Sequence, residues 1–101
     1  MKQTILGAGG SIGIELAKYL KEYTPDILLV NRNPKKINPT DTVLAADLTN
    51  RADVFKAIEG SGITYVTIGF PYSVKMWKQL WIPFIQNVID ACLQYNSKLV
   101  F

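Results

Sequence analysis

The chain has 101 residues, 49% of them hydrophobic, one cysteine, no histidine and a formal net charge of +3. That size and composition suit one small globular domain and exclude a disordered tail. The charge is mild and only Lys35 and Lys36 are adjacent, so the dense basic stripe of a nucleic-acid surface is absent.

Residues Gln3 to Leu6 form an apolar run that ends at Gly7 and predict a buried strand. A helix is predicted over Ser11 to Tyr23. Ile12, Leu16, Tyr19, Leu20 and Tyr23 form its apolar face, and Glu15, Lys18, Lys21 and Glu22 its wet face. Thr24-Pro25 stops it, because proline cannot continue the hydrogen-bond ladder. Ile27 to Val30 predicts a second buried strand. Asn31 to Thr40, with two prolines and several polar residues, predicts a loop. Val43 to Ala46 reads as a weaker third strand. Asn50 caps a helix running to Glu59, with Asp53 in its first turn and Gly60 as its stop. Ile63 to Ile68, rich in β-branched residues, predicts a fourth strand.

A long helical stretch runs from Val74 to Tyr95, with Trp81, Phe84, Ile85, Val88, Ile89 and Cys92 on one face. Pro83 lies inside it, so the helix either kinks there or a new one starts near Trp81. Cys92 reads as a small buried hydrophobe rather than a reactive thiol. Lys98 to Phe101 begins a fifth strand. No apolar run is long enough to cross a bilayer and the N-terminus lacks a signal-peptide layout, so a cytoplasmic location without a membrane partner is expected.

Strands and helices alternate with short connections. This predicts a three-layer α/β domain over residues 1–101, with a parallel sheet of about five strands in the order 3-2-1-4-5. The first strand runs into Gly7-Ala8-Gly9-Gly10-Ser11-Ile12-Gly13, which opens the first helix. Such a turn needs one glycine for its backbone torsions, another for close approach of a pyrophosphate, and a third for tight helix–strand packing. The free N–H groups at the helix start then face the phosphates. The expected ligand is a nicotinamide dinucleotide, contacted at Gly7, Gly10, Ser11, Ile12 and Gly13. Ser11 either bonds phosphate or simply caps the helix.

An NAD site places Asp or Glu at the end of the second strand, to accept from the ribose 2′-OH. Here Asn31 and Arg32 stand there. A neutral amide does not repel a 2′-phosphate, and a guanidinium pairs with one in forked geometry. Lys35 and Lys36 add to the field. The expected cofactor is therefore NADP(H), with NAD(H) as the alternative if Arg32 is only a solvated loop residue.

The turn from Gly7 to Gly13 resembles the Gly-x-x-Gly-x-x-Gly fingerprint of extended and atypical short-chain dehydrogenases/reductases, the group of NAD(P)-dependent epimerases and dehydratases. Three further segments agree, so that the resemblance spans Ile5 to Phe101. Asp47-Leu48-Thr49 resembles the acidic-aliphatic pair that borders the adenine. Thr67-Ile68-Gly69 is similar to the small-residue end of the fourth strand, and implies that Ile68 and Gly69 border the cofactor. Asn87-Val88 with Ala91-Cys92 resembles the Asn-Val…Ala-Ala pattern of the long helix, and implies that Asn87 lies on the nicotinamide side. Asp47 otherwise caps its own turn, and Asn87 otherwise sits on a wet helix face.

The resemblance also implies a catalytic Tyr-x-x-x-Lys pair, and the chain lacks it. Tyr72 with Lys75 and Tyr95 with Lys98 are each one residue short of the spacing. No catalytic residue and no metal ligand is assigned. The chain is expected to be the N-terminal part of an epimerase, dehydratase or reductase, acting on a nucleotide-sugar or another small carbonyl or alcohol substrate. Its chemistry would be hydride transfer at the nicotinamide. The alternatives are a dinucleotide sensor acting through a protein partner, and an interaction module on a dead scaffold. Self-association into a homo-oligomer is left open. Phe70, Tyr72, Trp77 and Trp81 follow the fourth strand, where Tyr72 and Ser73 contact substrate or the aromatics serve as core.

Overall fold

The computed structural model of the protein describes residues 2–7, 11–24, 26–33, 35–67 and 74–100, with side chains at all of these except 11, 12, 74–78 and 80. Among the described residues the strands are β1 (Gln3–Leu6), β2 (Ile27–Asn31), β3 (Thr42–Ala45), β4 (Ile63–Val66) and β5 (Lys98–Val100). The helices are α1 (Ser11–Leu20), α2 (Arg51–Ile58) and α3 (Val74–Tyr95). The strands form one sheet in the order β3-β2-β1-β4-β5, and every pairing is parallel. This is the order expected from the sequence. The chain moves outward from β1 to β3, then returns past β1 to β4 and β5. The reversal leaves a switch point between β1 and β4, and in open α/β sheets ligands bind at that crevice.

β1 is buried along its whole length and β2 up to Val30, because both sheet faces are covered. On one face Ile5, Ile27 and Leu29 pack with Ala17 and Leu20 of α1. On the other, Leu6, Leu28, Val30 and Val66 pack with α2 and α3 through Val54, Ala57, Ile58, Phe84, Val88 and Ala91. β3 is the sheet edge and is partly exposed, which accounts for its weak apolar signal.

Two helical faces differ from expectation. α1 ends at Leu20 and continues only as a turn, with Tyr23 N–H bonded to the Leu20 carbonyl at 2.9 Å. Its buried stripe runs through Gly13, Ala17 and Leu20, one residue round from the expected face. Small residues let the helix lie close on the sheet. The larger Tyr19 and Tyr23 are displaced to solvent, 60% and 68% exposed, where their hydroxyls meet at 2.9 Å. In α3 the buried residues are Phe84, Val88, Ala91 and Cys92, while Ile89 faces outward. The helix runs through Pro83 as one element. Pro83 is on the exposed side, where water can satisfy the carbonyl that loses its partner.

The described part of the β2–β3 crossover forms no helix and is fastened by a polar plug. Asn38 Nδ2 donates to the Ala17 carbonyl at 3.0 Å and to Asp41 Oδ1 at 3.2 Å. Asp41 Oδ2 accepts from the backbone N–H of Ile37 and of Asn38, at 3.2 and 2.7 Å. Asp41 is 2% exposed, and these bonds replace the water that its carboxylate gives up. α2 begins as expected, with Asn50 accepting from the Asp53 N–H at 3.2 Å. Gly60 follows the helix with φ of 77°, the left-handed stop that glycine permits.

Candidate functional site

The carboxyl ends of β1, β2, β3 and β4 come together at one edge, and most of the sequence-derived residues stand there. Gly7 closes β1 with φ of 85°, in the left-handed region that disfavours any side chain. Its N–H donates to the Val30 carbonyl of β2 at 2.8 Å. Its carbonyl lies 3.2 Å from Thr67 Oγ1, which also donates to the Leu6 carbonyl at 2.9 Å. α1 begins at Ser11, so Ser11 and Ile12 form its first turn. The leading N–H groups, which have no partner within the helix itself, and the positive dipole end of that turn sit at the same edge. Gly13 is buried within α1. Gly10, Ile68 and Gly69, and with them Phe70, Tyr72 and Ser73, lie outside the described residues.

Beside the turn, Asn31 ends β2 and its Oδ1 accepts from the Asn33 N–H at 2.9 Å. Arg32 is exposed immediately after it. Asp47 follows β3 and is also exposed. Its Oδ1 accepts from the Thr49 hydroxyl at 2.6 Å and the Thr49 N–H at 3.0 Å. These two bonds, with the nearby charge of Arg32, hold the Asp47 carboxyl below the ordinary aspartate range. Asp47 thus caps its own turn while standing close to Arg32. The Leu48 side chain is buried in the main core, so only its backbone is on offer at this edge.

Asn87 is half-buried on α3, and its Oδ1 accepts from Arg51 Nη1 at 2.9 Å. The same nitrogen meets Asp90 Oδ2 at 2.9 Å, and Gln86 Nε2 donates to Asp90 Oδ1 at 2.9 Å. Arg51 also lies over the Phe55 ring, 4.6 Å from its centroid. The network ties the start of α2 to the middle of α3. Cys92 is buried as expected, and burial pushes its thiol up despite bonds from Thr64 and Ser97.

Sequence reasoning missed two residues here. Thr67 was legible only as the end of a strand, and its hold on Gly7 depends on β4 pairing with β1. Arg51 carried a clearer signal. A cation in the first turn of a helix opposes the dipole, which points to an acidic partner elsewhere.

The Arg51 and Gln86 hydrogen bonds also hold the Asp90 carboxyl below the ordinary aspartate value of 3.8. A carboxyl lowered on folding stabilises the fold above its unfolded value, and loses that contribution as pH falls through the folded one. Asp47 acts in the same direction. The melting temperature is therefore expected to fall as pH drops below about 4. In Asp90→Asn that fall becomes shallower, which thermal melts from pH 6 to 2.5 would show. Equal slopes in the two proteins would mean that the ion pair contributes nothing.

Among the described residues no group of His, Cys, Asp and Glu side chains could hold a metal ion, and no helix is long and apolar enough to cross a membrane.

The model of a family of NAD(P)H-binding proteins matches residues 7–100. The chain belongs to this NAD(P)H-binding family. No curated protein matches it by sequence. Solved structures do match. Uronate dehydrogenase from Agrobacterium tumefaciens is similar at a TM-score of 0.81 and 17% identity, over 94% of this chain and 37% of the dehydrogenase. A mutant of that enzyme has been solved in complex with NAD. A Rossmann-fold NAD(P)-binding family protein from Shigella flexneri is similar at a TM-score of 0.77 and 26% identity, over all of this chain and 51% of that protein. A GalE-like L-threonine dehydrogenase from Cupriavidus necator is similar at 0.81 and 24%, over all of this chain and 36% of that one. This member of the NAD(P)H-binding family thus spans between about a third and a half of the length of these relatives. Its fold is the Rossmann-type fold that they share.

Proposed function

We propose that this chain holds NADP(H) in preference to NAD(H), across the carboxyl edge of the sheet at the β1–β4 switch point. The observation that carries the reading is Gly7. Its left-handed conformation closes β1 only four residues before α1 begins, which suits close approach of a pyrophosphate. Gly7, Gly10 and the first turn of α1, with Ser11 and Ile12, would hold the phosphates, and Gly13 would seat the helix. Asn31 and Arg32 would face the adenosine ribose. Asn31 brings no negative charge, and its carbonyl oxygen is already occupied by Asn33. Arg32 would pair with the 2′-phosphate. Asp47, the Leu48 backbone, Ile68 and Gly69 would border the adenine and the cofactor's middle, with Asn87 on the nicotinamide side.

When bound, the nicotinamide supplies hydride transfer. The whole protein would then interconvert a hydroxyl and a carbonyl on a small substrate, a reading supported by the dehydrogenases that share the fold. What this chain supplies to such a reaction is binding and orientation.

Titration with NADPH and NADH, followed by nucleotide fluorescence, tests the reading. The native protein should bind both, and NADPH more tightly. Arg32→Glu should lower the NADPH-to-NADH affinity ratio by about 10- to 100-fold, since a charge-assisted bond contributes roughly 1.5–3 kcal/mol. An unchanged ratio would remove the NADP preference, and no binding of either nucleotide would remove the cofactor role.

A further inference from the structure

We propose that Thr67 is a positioning residue whose hydroxyl fixes the Gly7 carbonyl, and with it the exit of the chain from β1, in favour of dinucleotide binding. The inference rests on the dinucleotide reading above and adds a role for the Thr67 side chain, which the resemblance of the Thr67-Ile68-Gly69 segment does not assign.

β1 and β4 pair in register up to Leu6 and Val66, and the Thr67 N–H adds a further rung to the Leu6 carbonyl at 3.0 Å. Among the described residues two bonds restrain Gly7, the residue with the greatest backbone freedom: the next rung of the β1–β2 ladder and a side-chain bond. Its N–H is held by Val30 of β2 at 2.8 Å, and its carbonyl by the Thr67 hydroxyl, just beyond β4, at 3.2 Å. Gly7 is therefore gripped from both neighbouring strands, on the two sides of the switch point.

The hydroxyl has one hydrogen to donate, shared between the Leu6 carbonyl at 2.9 Å and that of Gly7. Because a peptide is planar, holding the Gly7 carbonyl holds the plane through which the chain leaves β1. Threonine suits the task, since its β-branch restricts χ1 and keeps the hydroxyl aimed. A Gly7 peptide held in advance pays less entropy when the ligand arrives, and the gain appears as affinity. That gain belongs to ligands that use the turn, which means those with a pyrophosphate.

The test compares Thr67→Val with Thr67→Ser in the full chain, using NADPH, NADH and adenosine 2′-monophosphate as probes. The last lacks the pyrophosphate. Thr67→Val should weaken NADPH and NADH alike by about fivefold, the equivalent of one neutral hydrogen bond at about 1 kcal/mol. Adenosine 2′-monophosphate, read by NMR shifts, should bind both variants as it binds the native protein. Thr67→Ser keeps the hydroxyl and should restore native NADPH affinity. A general loss of structure would weaken all three probes together and would overturn the proposal. So would serine binding NADPH as poorly as valine, or valine binding it as well as the native protein. Should Thr67→Val not fold, Thr67→Ala against Thr67→Ser isolates the hydroxyl in the same way. If the native protein binds neither dinucleotide, the cofactor reading fails first. If it binds and the variants do not differ, only the role of Thr67 fails.

Discussion

Replacing Gly7 with valine should weaken NADPH binding by about 10- to 100-fold and destabilise the fold by roughly 1–3 kcal/mol. The cause is local. Gly7 holds φ of 85°, where a β-branched side chain is strongly disfavoured. The new side chain would either force the turn into another shape or stand where a pyrophosphate must approach. Gly60 provides the control. It too is left-handed, at φ of 77°, and a Cβ there would meet only Lys2 Nζ at 3.7 Å. It lies between α2 and β4, away from the carboxyl edge. Gly60→Ala should therefore cost about 1 kcal/mol of stability from backbone strain and leave NADPH affinity unchanged. Urea denaturation and NADPH titration of both variants separate strain from binding. Equal effects of the two on affinity would show that Gly7 matters only for folding.

Phe84→Ala should be the most damaging single change to stability, at about 3–5 kcal/mol. The Phe84 ring is 1% exposed and packs into the larger core, with the Trp81 ring 5.7 Å away, centroid to centroid. A domain of this size has only about 5–15 kcal/mol in total, so the variant would sit near the edge of folding. Its melting temperature should fall by more than about 12 °C. Phe84 also lies one helical turn before Asn87, so losing it should loosen the part of α3 that meets Arg51. A fall of only a few degrees would mean that the core closes over the cavity and that α3 docks by other contacts.

The folding pattern was legible in the sequence because its signals are local. Apolar runs marked each strand to within a residue or two, with glycine or proline beside β1, β2 and β4, and the alternation of strand and helix implied the parallel order that the sheet adopts. The strand–glycine–helix junction at Gly7 was legible for the same reason: an unusual torsion leaves a glycine behind. Periodicity was less able to say which face of a helix is buried. In α1, Tyr19 and Leu20 both fit an apolar stripe, and only the sheet's demand for a close-fitting Gly13–Ala17 face sent the tyrosine outward. Ile89 in α3 was misplaced in the same way, since Ala91 takes the inner position.

Tertiary structure alone decided the polar contacts that tie the elements together, because each joins residues far apart in the chain. Thr67 reaches Gly7 across 60 positions, Arg51 reaches Asn87 across 36, and Asn38 reaches Ala17 across 21. A hydroxyl, a guanidinium or an amide has no periodicity to announce its partner, and its role is set only when the strands pair. The sequence by itself determined which elements form, in what order, and where a glycine closes β1 ahead of α1. The pairing of β1 with β4, and the docking of α2 against α3, determined which side chains meet at that junction and beside it.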